Sequence, residues 1–124
     1  MSSEDLVREF WRLMGTNDFS SVAAVLADDF TLEWPQSGER IRGAANFAHM
    51  NSEYPSVGPW RFDIERIFGS EYEAVSDVRV TDGETVGRAI SFFTIENGQI
   101  SKIVEFWPEP FDAPTHRSHL IERF

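Results

Sequence analysis

Two dipeptides, Asp82-Gly83 and Asn97-Gly98, constrain this chain more than any other feature. Both fall between segments of alternating apolar and polar residues, and both supply the positive φ that a two-residue hairpin turn requires. They join the segments 72–81, 85–96 and 100–107 into a run of antiparallel strands, and a further strand at 60–68 ends at Gly69-Ser70. Side chains alternate across a strand, so fixing the turns fixes the faces by arithmetic.

A two-residue turn at Asp82-Gly83 sets Asp77 opposite Arg88 and Val75 opposite Ile90. The same turn at Asn97-Gly98 sets Phe92 opposite Ile103, Ile90 opposite Glu105 and Arg88 opposite Trp107. One face then gathers Asp77, Arg88, Phe92, Glu105 and Trp107. The opposite face, with Ser76, Val78, Ala89, Ser91, Phe93, Val104 and Phe106, is flatter and suits packing on another sheet. The first face combines a few charged groups with large apolar side chains, which is the composition of a ligand pocket. Arg88 is placed to bind Asp77 and stack on Trp107, although an exposed cross-strand ion pair of small consequence is the alternative. Glu105, set between Ile103 and Trp107, is a candidate general base, because burial raises a carboxyl pKa.

The first half reads as helical. Leu6, Val7, Phe10, Trp11 and Met14 repeat at helical spacing, predicting a helix over 4–14 with Ser3 as its cap and Gly15 as its stop. Asn17-Asp18 opens a shorter helix ending near Ala27, with Asp28-Asp29 as its solvated exit. Residues 30–34 alternate as a strand up to Pro35, 40–42 return, and Gly43 opens a third helix closed by Pro55. Helices followed by strands indicate an α+β layer architecture. His49, with Tyr54 nearby, is placed either to hand protons to a substrate or simply to face solvent; Trp34 and Trp60 either line a pocket mouth or fill the core.

The 124 residues suit one domain, 1–124, with 109–124 as a Pro-rich appendage. The absence of cysteine excludes disulfides, thiolate metal sites and a thiol nucleophile. A net charge of −10 argues against nucleic acid or an anionic membrane as partner, and the acidic N-terminus without a long apolar run leads us to expect a soluble, cytoplasmic protein. His116 and His119 lack an evident third metal ligand, and there is no Gly-rich phosphate loop, G-x-S-x-G elbow or H-E-x-x-H, so no cofactor or metal is expected. Aromatic residues make up 14% of the chain, more than a minimal core needs, which suggests a pocket or interface lined by rings.

Phe10-Trp11, Asn17-Asp18, the run 26–30, Trp34-Pro35, Arg42-Gly43, the run 97–100 and the run 104–108 together resemble the SnoaL-like branch of the nuclear transport factor 2-like superfamily. The resemblance implies a cone in which a curved antiparallel sheet wraps around three N-terminal helices, with a homodimer formed through the sheet face. It also implies acid/base chemistry of cyclase, isomerase or hydrolase type in the cone. Glu105 stands at the late-strand position of the cyclases' acidic residue, and Asp77, Arg88 and Glu105 are similar to the carboxylate–arginine–carboxylate trio of limonene epoxide hydrolase-like members. The expected function is therefore cofactor-independent catalysis on an apolar carbonyl or ring compound. Glu105 would be the base, Arg88 and His49 would stabilise the oxyanion, Asp77 would complete the trio, and Trp34, Tyr54, Trp60, Phe92 and Trp107 would hold the substrate. A non-catalytic ligand-binding or dimeric interaction protein of the same fold is the alternative.

Overall fold

The computed structural model describes residues 1–124. Helix α1 spans Ser3–Gly15; Ser2 caps it, exchanging hydrogen bonds with Asp5 in a capping box. The cap thus lies one residue before the expected Ser3, whose hydroxyl instead donates to the Ser70 carbonyl. The expected second helix is a 3-10 turn, Phe19–Val25, and the third is α2, Gly43–Glu53.

Six strands follow or interleave: β1 Leu26–Trp34, β2 Glu39–Arg42, β3 Arg61–Gly69, β4 Glu73–Thr81, β5 Val86–Glu96 and β6 Gln99–Phe106. They form one sheet in the order β2-β1-β6-β5-β4-β3. The fold is α+β as expected. The sheet is not wholly antiparallel, however, because β1 runs parallel to β6, with Leu32 beside Ile103 and Glu33 beside Val104. Asp28-Asp29 is not a helix exit but an exposed, irregular stretch inside β1, between the paired residues Leu26 and Thr31.

The helices cover one face of the sheet, and the core lies between. Phe10 is almost fully buried, packing edge-on against Trp11 and Phe93 and tilted against Phe47. The face of small residues is thus the inner, helix-covered one: Ala74, Ser76, Ala89 and Ser91 are all buried there, and α1 reaches Ser76 through the Trp11 indole. At Gly69 a methyl group would lie 2.5 Å from the Ser3 hydroxyl, so β3 must end on glycine for α1 to start where it does. No helix is long and apolar enough to cross a membrane.

Both hairpins depart from the expected register, with different consequences. At the first, the Asp82 carboxylate accepts from the backbone N–H groups of Glu84 and Thr85, widening the turn to four residues. Thr81 then faces Val86, and Arg79 rather than Asp77 faces Arg88. That shift is even, and the faces survive. At the second, Asn97 and Gly98 take φ of 52° and 74°, as the two-residue turn demands, and Glu96 faces Gln99. A bulge then follows. Ile95 faces Ile100 but Thr94 faces Lys102, leaving Ser101 as one extra residue on β6. This odd shift turns the rest of β6 over: Ile103 and Glu105 point inward, and Lys102 points outward to the Glu33 carboxylate at 3.0 Å.

Deleting Ser101 takes away the extra residue but leaves Lys102 opposite Thr94 and Ile103 opposite Phe93, so Ile103 and Glu105 should stay on the inner face. We expect a loss below about 2 kcal/mol, because no charge is buried unpaired and no core side chain is exposed. Urea denaturation measures it, and a loss of more than about 3 kcal/mol, the size expected if the faces of β6 were exchanged, would refute Ser101 as the extra residue.

Candidate functional site

The bulge gives Glu105 its surroundings. Trp34 ends β1 and Trp107 follows β6 two residues after Glu105, so both indoles reach the same end of the inner face. Each donates its Nε1–H to Glu105 Oε1 at 3.1 Å. Ser91, directly opposite Glu105 on β5, donates its hydroxyl to Oε2 at 2.7 Å. Glu105 is 5% exposed and Ser91 fully buried. Burial pushes the Glu105 carboxyl above the usual carboxylate range; the bonds from Ser91, Trp34 and Trp107 oppose that without reversing it. No cation takes part.

Two amide side chains fix the tryptophan backbones at this end of the sheet. Gln36 accepts from the Trp107 N–H at 2.6 Å and donates to its carbonyl at 3.1 Å. Asn17, at φ 61°, accepts from the Trp60 N–H and donates to its carbonyl, both at 2.8 Å. Tyr54 sits edge-on to Trp60 at 6.1 Å and is largely exposed. The loop between them is pinned by Asp82, which accepts from the Val57 N–H at 3.1 Å.

The expected charged cluster is divided between the two faces. Asp77 and Arg88 do pair, but on the outer face, where Arg88 donates to both carboxylate oxygens and Arg66 adds a bond at 3.0 Å. Arg88 is the main reason Asp77 titrates below the usual carboxylate range; burial opposes the shift and Arg66 reinforces it. Arg88 therefore does not stack on Trp107, and neither it nor Asp77 faces Glu105. Phe92 is also on the outer face, 49% exposed and edge-on to Phe106, while Phe93 is core. Phe92 therefore lies outside the pocket to which it was assigned, and Phe93 lies in the core rather than on an outward sheet face. His49 is exposed and lines a separate groove of about 320 Å³ with Asn17, Asp18, Ser52 and Glu53.

A larger groove, about 810 Å³, lies at the opposite end of the sheet between the start of α1 and the turns at Ser70 and Asn97. It holds no converging buried donors around a carboxyl, so chemistry rather than size selects the Glu105 end. No three His, Asp or Glu side chains gather as a metal site; His116 and His119 lie in an exposed 3-10 turn, Thr115–Leu120.

The SnoaL-like domain model matches residues 7–103. The chain belongs to the SnoaL-like family. A protein from Kribbella flavida DSM 17836, provisionally named a ketosteroid isomerase, shares 32% identity over 98% of this SnoaL-like chain and 88% of its own, with a TM-score of 0.88. Two more distant structures share the fold. One is an NTF2-like protein of unknown function from Burkholderia xenovorans LB400, with TM-score 0.78, 24% identity, and coverage of 97% of this chain and 93% of its own. The other is an LEH-like epoxide hydrolase from M. tuberculosis, with TM-score 0.67, 20% identity, and coverage of 85% and 81%. No curated protein matches this SnoaL-like chain.

Residue reading missed Ser91, Gln36, Asn17 and Asp82. Ser76 and Ser91 carried a usable signal, being hydroxyls spaced among apolar residues on what is the buried face. The two amides carried none, since each acts across a large gap in sequence.

Glu105 holds its proton more tightly when folded than when unfolded. Its contribution to stability is therefore full below the ordinary carboxylate range and lost as pH rises through the raised folded value. Asp77 has the opposite sign, stabilising above the ordinary range and losing that contribution as pH falls. Glu105→Gln should thus gain stability relative to the parent as pH rises above the ordinary carboxylate range, whereas Asp77→Asn should narrow the loss on the acid side. Denaturation over a pH series distinguishes the two.

Proposed function

We propose that this SnoaL-like chain is a cofactor-independent acid/base enzyme that moves a proton next to the carbonyl of a neutral, apolar substrate, with Glu105 as the base. The observation that carries this reading is a carboxylate buried among neutral donors, its pKa raised with no cation to neutralise it. A carboxylate has about four lone-pair positions. The two indoles take those of Oε1 and Ser91 takes one on Oε2, so the remaining Oε2 position can accept a proton. A base whose pKa is raised toward the operating pH is also a better proton acceptor than an ordinary carboxylate.

Trp34 and Trp107 are half-buried and present indole surface beside the carboxylate, which favours an apolar ring or chain. An anionic substrate would meet both Glu105 and the net charge of −10. The similarity to the Kribbella flavida protein makes an unconjugated 3-ketosteroid a reasonable first substrate. Isomerisation followed by absorbance of the conjugated enone tests the reading. Glu105→Gln should lower kcat at least about a hundredfold, the usual contribution of a positioned base. If a substrate is found and the variant turns it over at the parent rate, Glu105 is not the base.

We further propose that the outer face, where Phe68, Val86 and Phe92 are exposed and no helix covers the sheet, pairs with a second copy of the chain. Sedimentation velocity should give twice the 14.2 kDa chain mass, and Phe92→Asp should give the monomer.

A further inference from the structure

Ser76, Ser91 and Glu105 stand directly opposite one another on β4, β5 and β6, a polar row across the inner face of an otherwise apolar core. Both serines are essentially inaccessible, at 1% and 0% exposure. Hydroxyls so placed need partners, and each has a different one. Ser76 accepts from the Trp11 indole at 3.0 Å, tying helix α1 to the sheet, while Ser91 donates to Glu105.

We propose that Ser91 is a positioning residue for the proton transfer: its hydroxyl occupies one of the two lone pairs of Glu105 Oε2, leaving a single fixed lone pair to meet the substrate C–H. This rests on Glu105 being the base. With both Oε1 positions taken by indole N–H groups, Oε2 is the oxygen left to react, and Ser91 decides in which direction. In the step itself the C–H bond breaks, its electron pair passes into the substrate enolate, and the proton forms an O–H bond on Oε2. Return of that proton to a different carbon completes an isomerisation with no co-reactant. All the groups that shift Glu105 are neutral: Trp34 on β1, Ser91 on β5 and Trp107 beyond β6. No second titration overlies its own.

Ser91→Ala removes a hydrogen bond to the ionised carboxylate. It should move the Glu105 titration to higher pH, read from the side-chain carboxyl carbon by NMR, and with it the acid limb of the kcat profile. kcat should fall about tenfold or more with KM little changed, the size expected for a hydrogen bond to a charged group. Ser76→Ala deletes an equally buried hydroxyl that does not touch Glu105; it should lower the melting temperature and leave the titration in place. An unmoved Glu105 titration in Ser91→Ala overturns the proposal. So does an equal displacement in Ser76→Ala, which would reveal general loosening of the core. If Glu105→Gln retains full turnover, the base assignment fails, but the NMR titration still reports whether Ser91 orients the carboxyl.

Discussion

The structure depends on one residue of β6, Ser101, being left out of the strand pairing. Strand β6 lies between β1 and β5, so its side-chain alternation must agree with both neighbours at once. The Asn97-Gly98 turn is too tight to adjust, and the correction falls just after it, at Ser101. Beyond that bulge Ile103 lies beside Leu32 in the core, and Lys102 meets Glu33 on the outside. Glu105 enters the inner face between Trp34 of β1 and Ser91 of β5. Without the bulge the same sequence would bury an amine and expose a base. A bulge can re-aim a side chain without lengthening a loop, and here it turns half a strand.

Asp77 and Glu105 show how neighbours decide what a buried carboxyl can do. They are almost equally inaccessible, at 5% each, yet titrate in opposite directions. Asp77 receives two guanidinium groups and stays ionised, which suits an anchor between β3, β4 and β5. Glu105 receives only neutral donors. These soften the cost of burying its charge without locking it in, so the protonated and ionised forms stay closer in energy. A charged partner would have made Glu105 a second Asp77.

Much of the fold was legible because local signals sufficed. The helical spacing from Leu6 to Met14, the two hairpin dipeptides and the arrest at Pro35 each act within a few residues, and the elements lie close to where those signals put them. The site was legible in composition but not in geometry. Glu105, Trp34 and Trp107 were singled out, yet Asp77, Arg88 and Phe92 were grouped with them because perfect alternation was carried through Ser101. The widened turn at Asp82 did no such harm, since it moved the register by an even number. A bulge has no reliable local mark, and its cost in inference is a whole face. His49 was left open between substrate and solvent for another reason: placing a residue on a helix does not say which face of that helix meets the sheet, and its side chain is exposed.

The side chains of Trp60 and Trp107 pack against the core, and their backbones are held by side-chain amides acting as substitutes for a strand. Gln36 meets both backbone groups of Trp107, and Asn17 meets both of Trp60, each as a neighbouring strand would. For Trp107 this matters chemically. Its indole sits two residues from Glu105 and would follow any fraying of the strand end, where the last backbone groups lack ladder partners. Gln36, on the turn after Trp34, supplies those partners from the same segment that carries the other indole. Both donors to Oε1 are thereby referred to one short piece of chain, and their spacing about the carboxylate is set before a substrate arrives. Donors fixed in advance need no reorganisation when charge shifts on the group they serve. The Pro35–Gly38 turn, which looks like a simple connection between β1 and β2, therefore belongs to the site.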